Sequence, residues 1–228
     1  SLVDTPTNYG DDTGAGGEVR GNYATLNPLA KGSSATLSNG NLYITSGSAW
    51  DSTYSTFGMT SGKWYWEQTM STHTYTYTGI DYNINIANYP GNTSSSWAWL
   101  SSDGTIYNNG SSAANIGAAS GAHTIGIALD LDNLTLNFAI NGVWKNSANP
   151  ATNTNPQVSN LPAEKTWFAA VDVYGTSTNM NFGQRPFAYA APSGFKALCT
   201  QNLPDPLVED GSKYFDTKVF TGDGSAKT

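Results

Sequence analysis

Apolar and polar residues alternate with a period of two along most of the chain. Leu42 and Ile44 alternate with Tyr43 and Thr45, and Trp64, Trp66 and Gln68 with Tyr65, Glu67 and Thr69. The same rhythm runs through Ile80, Tyr82, Ile84 and Ile86, through Ile125, Ile127, Leu129 and Leu131, and through Leu134, Leu136, Phe138 and Ile140. Phe168 and Ala170 alternate with Ala169 and Val171. Side chains of a strand point to opposite faces in turn, so this pattern predicts half-buried antiparallel strands. The breaks carry turn residues: Ser61-Gly62, Ser102-Asp103-Gly104, Asp132-Asn133 and Asn141-Gly142. No stretch holds a 3.6-residue period between caps, and 113–119 is too short and Gly-broken to count. The expected fold class is all-β, an antiparallel β-sandwich. Trp64, Trp66, Trp97, Trp99, Trp167 and Phe138 are expected in its core.

Residues 1–40 read as an extended wrap rich in Gly, Asn, Asp and Pro, with Leu26, Pro28 and Leu29 able to pin it to the core. The sandwich is placed at 41–203. After Pro204-Asp205-Pro206 the character changes, and 204–228 reads as a linker leading into a further module.

Composition narrows the classes. Asp+Glu number 17 against 10 Lys+Arg, a net charge of −7, which disfavours nucleic acid and anionic membrane surfaces as partners. Charged residues are only 12%, too few for a coiled coil or a charge-driven disordered chain. Ser, Thr and Asn make up about a third of the chain, well above common usage. No apolar run reaches the ~20 residues of a membrane helix, and no basic-then-apolar leader is visible from Ser1. The single cysteine, Cys199, excludes an internal disulfide and a Cys-based zinc site.

Several motifs invite chemistry and fall short of it. Gly58-Met59-Thr60-Ser61-Gly62-Lys63-Trp64 is one residue short of a phosphate loop and runs into a strand where a helix is needed. Asp130 and Asp132 have the i, i+2 spacing of a glycosidase carboxylate pair, but they precede Asn133 at a strand end, where turns favour Asp. The same oxygens suit Ca²⁺, yet no terminal Glu follows; no metal and no cofactor are expected. His73 and His123 stand without a nucleophile elbow. No catalytic residue is assigned.

Taken in order, several segments resemble the SPRY domain, a concanavalin-like jelly roll. They are Gly62-Lys63-Trp64-Tyr65-Trp66-Glu67, Ile125-Gly126-Ile127-Ala128-Leu129-Asp130, Leu134-Thr135-Leu136-Asn137-Phe138, Asn141-Gly142-Val143-Trp144 and Trp167-Phe168-Ala169-Ala170-Val171. The family's Gly-rich strand appears here as the less Gly-rich Thr78-Gly79-Ile80-Asp81-Tyr82. The segments 3–10, 21–29 and 194–200 look like those of SPRY-bearing structural proteins of marine bacteriophages. This resemblance implies a non-catalytic binding module on a virion appendage such as a tail fibre. Its ligand would be a host-surface glycan or protein, recognised through loops at one end; its location would be virion or extracellular. Adjacent modules of the same chain and a homo-oligomer are further expected partners. The alternatives are a structural spacer or assembly module of the virion, and a glycan hydrolase.

If every connection reverses the chain, loops alternate between the two ends of the sandwich. The end opposite the loop before Trp64 then collects the aromatics Trp50, Tyr54, His73, Tyr75, Tyr77 and Tyr174 and the carboxylates Asp51, Asp103 and Asp132. Aromatic rings anchor proteins and stack on sugars, so these nine are the candidate ligand-binding residues.

Overall fold

The computed structural model describes residues 12–18, 21–47, 49–50, 52–71, 75–204, 213–215, 217 and 222. Two sheets face each other. In the first, the order is β1 (Leu26–Lys31), β4 (Thr53–Ser55), β13 (Phe168–Val173), β6 (Thr76–Asp81), β7 (Ser96–Leu100), β8 (Thr105–Asn108) and β9 (Ser111–Asn115). In the second it is β12 (Val143–Trp144), β11 (Thr135–Ile140), β10 (His123–Asp130), β5 (Lys63–Met70), β14 (Ser177–Asn181), β3 (Tyr43–Thr45) and β2 (Thr36–Ser38). The short β15 (Lys196–Ala197) runs parallel to the start of β5, while all the other strand pairs are antiparallel. Helical structure among the described residues is confined to three single 3₁₀ turns. The architecture is the antiparallel sandwich that the alternation predicts.

One face of each strand supplies the core. Trp64 and Trp66 from β5, Ile125, Ile127 and Leu129 from β10, and Phe138 from β11 meet Ile80, Trp99, Val171 and Trp167 from the other side. All are close to fully buried, and Trp97 packs on them half-buried. Gln68 is buried on the same face, as its register with Trp66 demands. Leu26 enters this core, whereas Leu29 stands 93% exposed. The difference is local: Asn27 Oδ1 accepts the Leu29 N–H at 2.9 Å, and the pairing of β1 with β4 slips between Leu26 and Lys31, so Leu29 is turned outward.

The segment 183–199 crosses the outer face of the second sheet as a strap. Its anchor is Glu67, buried on the outward face of β5. Oε2 accepts the Ala188 N–H at 2.7 Å; Oε1 accepts the Tyr189 N–H at 2.9 Å and the Tyr65 hydroxyl at 3.0 Å. Phe187 lies edge-on to Tyr65 at 4.9 Å. Residues 14–17 tie down the strap in turn, through Phe187 N–H to Ala15 O and Gly17 N–H to Gly183 O.

Two sequence expectations are corrected. The alternation through Tyr82, Ile84 and Ile86 does not continue β6. Asp81 Oδ1 accepts the Asn83 N–H at 2.9 Å and Asn85 Oδ1 the Ala87 N–H at 3.1 Å, and these Asx turns end the strand. Ile84 and Ile86 are left 41% and 45% exposed. Residues 109–121, in which the alternation shows no strand, likewise hold β9, which folds back on β8.

Candidate functional site

The register of the first sheet determines which side chains leave its outer face. On β6, Ile80 points to the core, so Tyr77, Gly79 and Asp81 point away. Their cross-strand partners share that face: Asp172, Ala170 and Phe168 on β13, and Leu100, Ala98 and Ser96 on β7. One strand further out lie Tyr54 on β4 and Tyr107 on β8. Tyr77, Ala98 and Leu100 form an apolar cluster separate from the core, with Tyr89 and Tyr107 packed against it.

The connection 82–95 leaves β6 at the opposite end and runs back over this face. Buried polar groups hold it there. The Tyr54 hydroxyl accepts the Asn85 N–H at 3.0 Å and reaches Asn85 O at 3.0 Å and Asp81 Oδ2 at 3.3 Å. The Ser52 hydroxyl lies 2.6 Å from Asn88 O and 2.8 Å from Asp172 Oδ2. Tyr89 is thereby laid on Tyr77, ring centroids 4.5 Å apart and planes 17° from parallel.

Trp50 closes the cluster. Its ring lies 5.2 Å from Tyr77, 5.9 Å from Tyr89 and 5.0 Å from Tyr174, within the range of favourable aromatic pairs. Tyr107 meets Tyr77 edge-on at 5.9 Å and donates its hydroxyl to Asp103 Oδ2 at 2.7 Å. Asp103 Oδ1 accepts the Thr105 N–H at 2.8 Å, which fixes the carboxylate in the β7–β8 turn. Tyr77 is buried, but Trp50 remains 38% exposed, Tyr174 37% and Tyr75 56%. Tyr75 joins this end through its carbonyl, which accepts the Tyr174 N–H at 3.1 Å. Burial pushes the Tyr77 and Tyr54 hydroxyls far above the usual phenol range, and the bond to Asp103 raises that of Tyr107. All three therefore stay neutral at working pH.

Of the nine candidates, Trp50, Tyr77 and Tyr174 meet in direct ring contact, Asp103 joins through Tyr107, and Tyr75 lies alongside. Asp51 and His73 fall outside the described residues. Two assignments are corrected. Tyr54 shares the outer face but is fully buried beneath 82–95, where a ligand does not reach it. Asp132 lies at the other end: Asp130 pairs with Lys63 at the start of β5, and Asp132 Oδ1 accepts the Gly62 N–H at 2.8 Å. The cause is β9, one strand more than the alternation shows, which inverts the direction of β10. Tyr89 and Tyr107 were missed. Tyr107 alternates with Ile106 on a short strand, and Tyr89 carried no signal beyond its residue type.

Asp130 is a turn residue. It is buried, accepts N–H bonds from Asp132 and Asn133, and pairs with Lys63 Nζ at 3.0 Å; Asp132 lines an open cleft with Gly62 and Lys63, but Asp130 does not, so the two do not form a glycosidase pair. No group of three or more His, Cys, Asp or Glu side chains fit to hold a metal occurs among the described residues. No helix among them is long and apolar enough to cross a membrane.

Desolvation raises the carboxyls of Glu67 and Asp81 above their ordinary range, against hydrogen bonds that lower them. Their unfolded values are about 4.3 and 3.9, so between those and the raised folded values the native state holds more protons. These two groups therefore make the fold more stable as pH falls from neutral into that window. Thermal melting at stepped pH is expected to show this rise, reduced in Glu67→Gln and Asp81→Asn. An unchanged slope in both variants contradicts it.

A sandwich that presents packed aromatic rings and a carboxylate at one end has the form of a recognition module. The chain belongs to the SPRY domain family, whose profile matches residues 63–185. SPRY domains are in general non-catalytic protein-interaction modules. Solved structures agree on the fold. The SPRY domain of human HERC1 is 19% identical, with a TM-score of 0.57 over 68% of this chain and 96% of that one. The PSpry domain of TRIM65 is 16% identical, TM-score 0.53, over 70% of this chain and 89% of that one. Stonustoxin is 20% identical, TM-score 0.52, over 70% of this chain but only 27% of its own. Among curated proteins, none matches the chain by sequence.

Proposed function

We propose that this SPRY domain docks a macromolecular partner at the end formed by Trp50, Tyr77, Tyr89, Tyr107 and Tyr174. One observation carries the reading: five rings are packed into a single cluster, yet Trp50 and Tyr174 keep more than a third of their surface open. Rings already held by neighbours lose little side-chain freedom on binding, and Trp and Tyr dominate interface hot spots. The finer reading is a module of a phage virion appendage, such as a tail fibre, that contacts host-surface protein or glycan. It is supported by the wrapping segments that resemble phage structural proteins. The test is binding of the labelled domain to host cells and to a glycan array. Trp50→Ala with Tyr174→Ala is expected to lower binding by about thirtyfold, a hot-spot effect of ~2 kcal/mol, with a lower melting temperature but the domain still fully folded at the assay temperature. Full binding by the folded double variant refutes the site.

A second reading, a spacer or assembly module of the virion, is favoured by Leu29, Ile84 and Ile86, which stand exposed. It predicts self-association in sedimentation, reduced by Ile84→Ser with Ile86→Ser. A hydrolase is not retained, because Asp130 is committed to its turn and to Lys63.

A further inference from the structure

We propose that the aromatic end recognises a cationic peptide segment, with an arginine side chain stacked on Trp50 and Tyr174 and directed toward Asp103. This rests on the reading that the aromatic end is the docking surface, and it names the chemistry of the partner.

Charge complementarity selects the ligand. Among the described residues of 49–55, 75–80, 97–108 and 170–178 the exposed carboxylate is Asp103, Asp172 is buried against Ser52, and there is not one Lys or Arg. Between Trp64 and Trp144 the chain has no basic residue of either kind. The lysine on the flanking strand, Lys31, is held by its own turn: its Nζ donates to Ala35 O at 2.7 Å and approaches Gly32 O at 3.4 Å. Asp103 is exposed. Its side-chain oxygens are met only by the Tyr107 hydroxyl and the Thr105 N–H, with no ammonium or guanidinium among the described residues beside it. A carboxylate with neutral donors keeps its charge for an incoming cation.

The rings add the second half. Trp is the best cation–π face, followed by Tyr, and arginine is the commoner partner because its planar guanidinium also stacks. Trp50 and Tyr174 lie 5.0 Å apart with planes 37° from parallel, and both are partly open to solvent. Tyr77 and Tyr107 bridge from Trp50 to Asp103 through centroid distances of 5.2 Å and 5.9 Å and a 2.7 Å hydrogen bond. The open faces of Trp50 and Tyr174 and the Asp103 carboxylate thus flank one packed ring cluster, with Tyr77 buried at its centre. This protein already uses such a contact internally: Lys165 Nζ sits 5.5 Å from the centre of the Tyr82 ring.

The probe is the pentapeptide Ac-Gly-Arg-Gly-Arg-Gly-NH₂, compared with its citrulline counterpart and with a neutral oligosaccharide. Binding is read from the Trp50 indole N–H resonance of the whole protein. The arginine peptide is expected to shift that resonance, about threefold to fivefold more weakly in Asp103→Asn and more weakly again at high salt. Trp50→Ala, read through the Asp103 and Thr105 amides, is expected to cost about tenfold or more. Asp103→Asn keeps the acceptor for Thr105, so its loss of affinity is not a folding defect; its melting temperature checks this. Equal shifts from the arginine and citrulline peptides, or shifts from the oligosaccharide alone, overturn cation recognition while leaving the aromatic end as a binding surface. No shift from any probe overturns the proposal. If Trp50→Ala with Tyr174→Ala also leaves cell binding intact, the docking reading falls with it.

Discussion

Gly79→Ala is expected to push β6 and β7 apart and to cost about 4 kcal/mol, the range of the most damaging single substitutions. A Cβ at this position would lie 1.9 Å from Trp97 O and 2.7 Å from Ala98 Cα. Both are backbone atoms of the paired strand, so no rotamer change relieves the overlap. Either the two strands separate or the register between them is lost. For a chain of this size the melting temperature should fall by roughly 8–16 °C. Gly47→Ala is the control: nothing lies within 4 Å of its Cβ, so it should change stability by no more than ~0.5 kcal/mol. If denaturant midpoints of Gly79→Ala and Gly47→Ala coincide, the close approach of β6 and β7 is wrong. The substitution also reaches function, because Gly79 lies between Tyr77 and Asp81 on the outer face. A folded but weakened Gly79→Ala protein should lose the stacking of Tyr89 on Tyr77.

Removing the Glu67 carboxylate ranks next. Glu67→Ala leaves the Ala188 and Tyr189 N–H groups and the Tyr65 hydroxyl without their acceptor. Bonds to a charged group contribute about 1.5–3 kcal/mol each, but Ala188 and Tyr189 lie at the surface, where water replaces part of the loss. The expected net cost is about 3 kcal/mol. Glu67→Gln keeps one acceptor oxygen, removes the penalty of a buried charge, and should cost about 1 kcal/mol. The order of the two variants separates a hydrogen-bonded anchor from a side chain that only fills space. Limited proteolysis adds a local readout: in Glu67→Ala, cleavage is expected within 183–195, where the strap lifts from β5. Equal melting temperatures for both variants contradict the anchor.

The legible part of this protein was whatever a strand says about itself. Alternation in 64–69, 125–131 and 135–140 reports which face each residue takes, and the core Trp and Phe side chains follow from it. Turn chemistry was equally local: Asp130 was expected to serve its turn, and it does. The misreadings have one origin. Ile84 and Ile86 keep the rhythm of β6 after Asx turns have ended the strand, because a periodicity does not record where the backbone stops pairing. The strand β9, Ser-Ser-Ala-Ala-Asn, carries almost no apolar signal and is held by its ladder to β8. Missing it inverts the direction read for β10 and β11, which puts Asp132 at the wrong end, whereas β13 and Tyr174 keep theirs.

From its sequence alone the chain determined an antiparallel sandwich and its core residues, because side-chain alternation and turn preference act between neighbours along the backbone. Only the tertiary structure decided which rings meet. Tyr89 comes to Tyr77 because Tyr54 and Ser52 hold a loop from the opposite end across the sheet. Tyr107 links the rings to Asp103 because β8 pairs with β7 in one register. Contacts of that kind depend on which strands lie side by side, a property of the whole packed chain that no local pattern encodes.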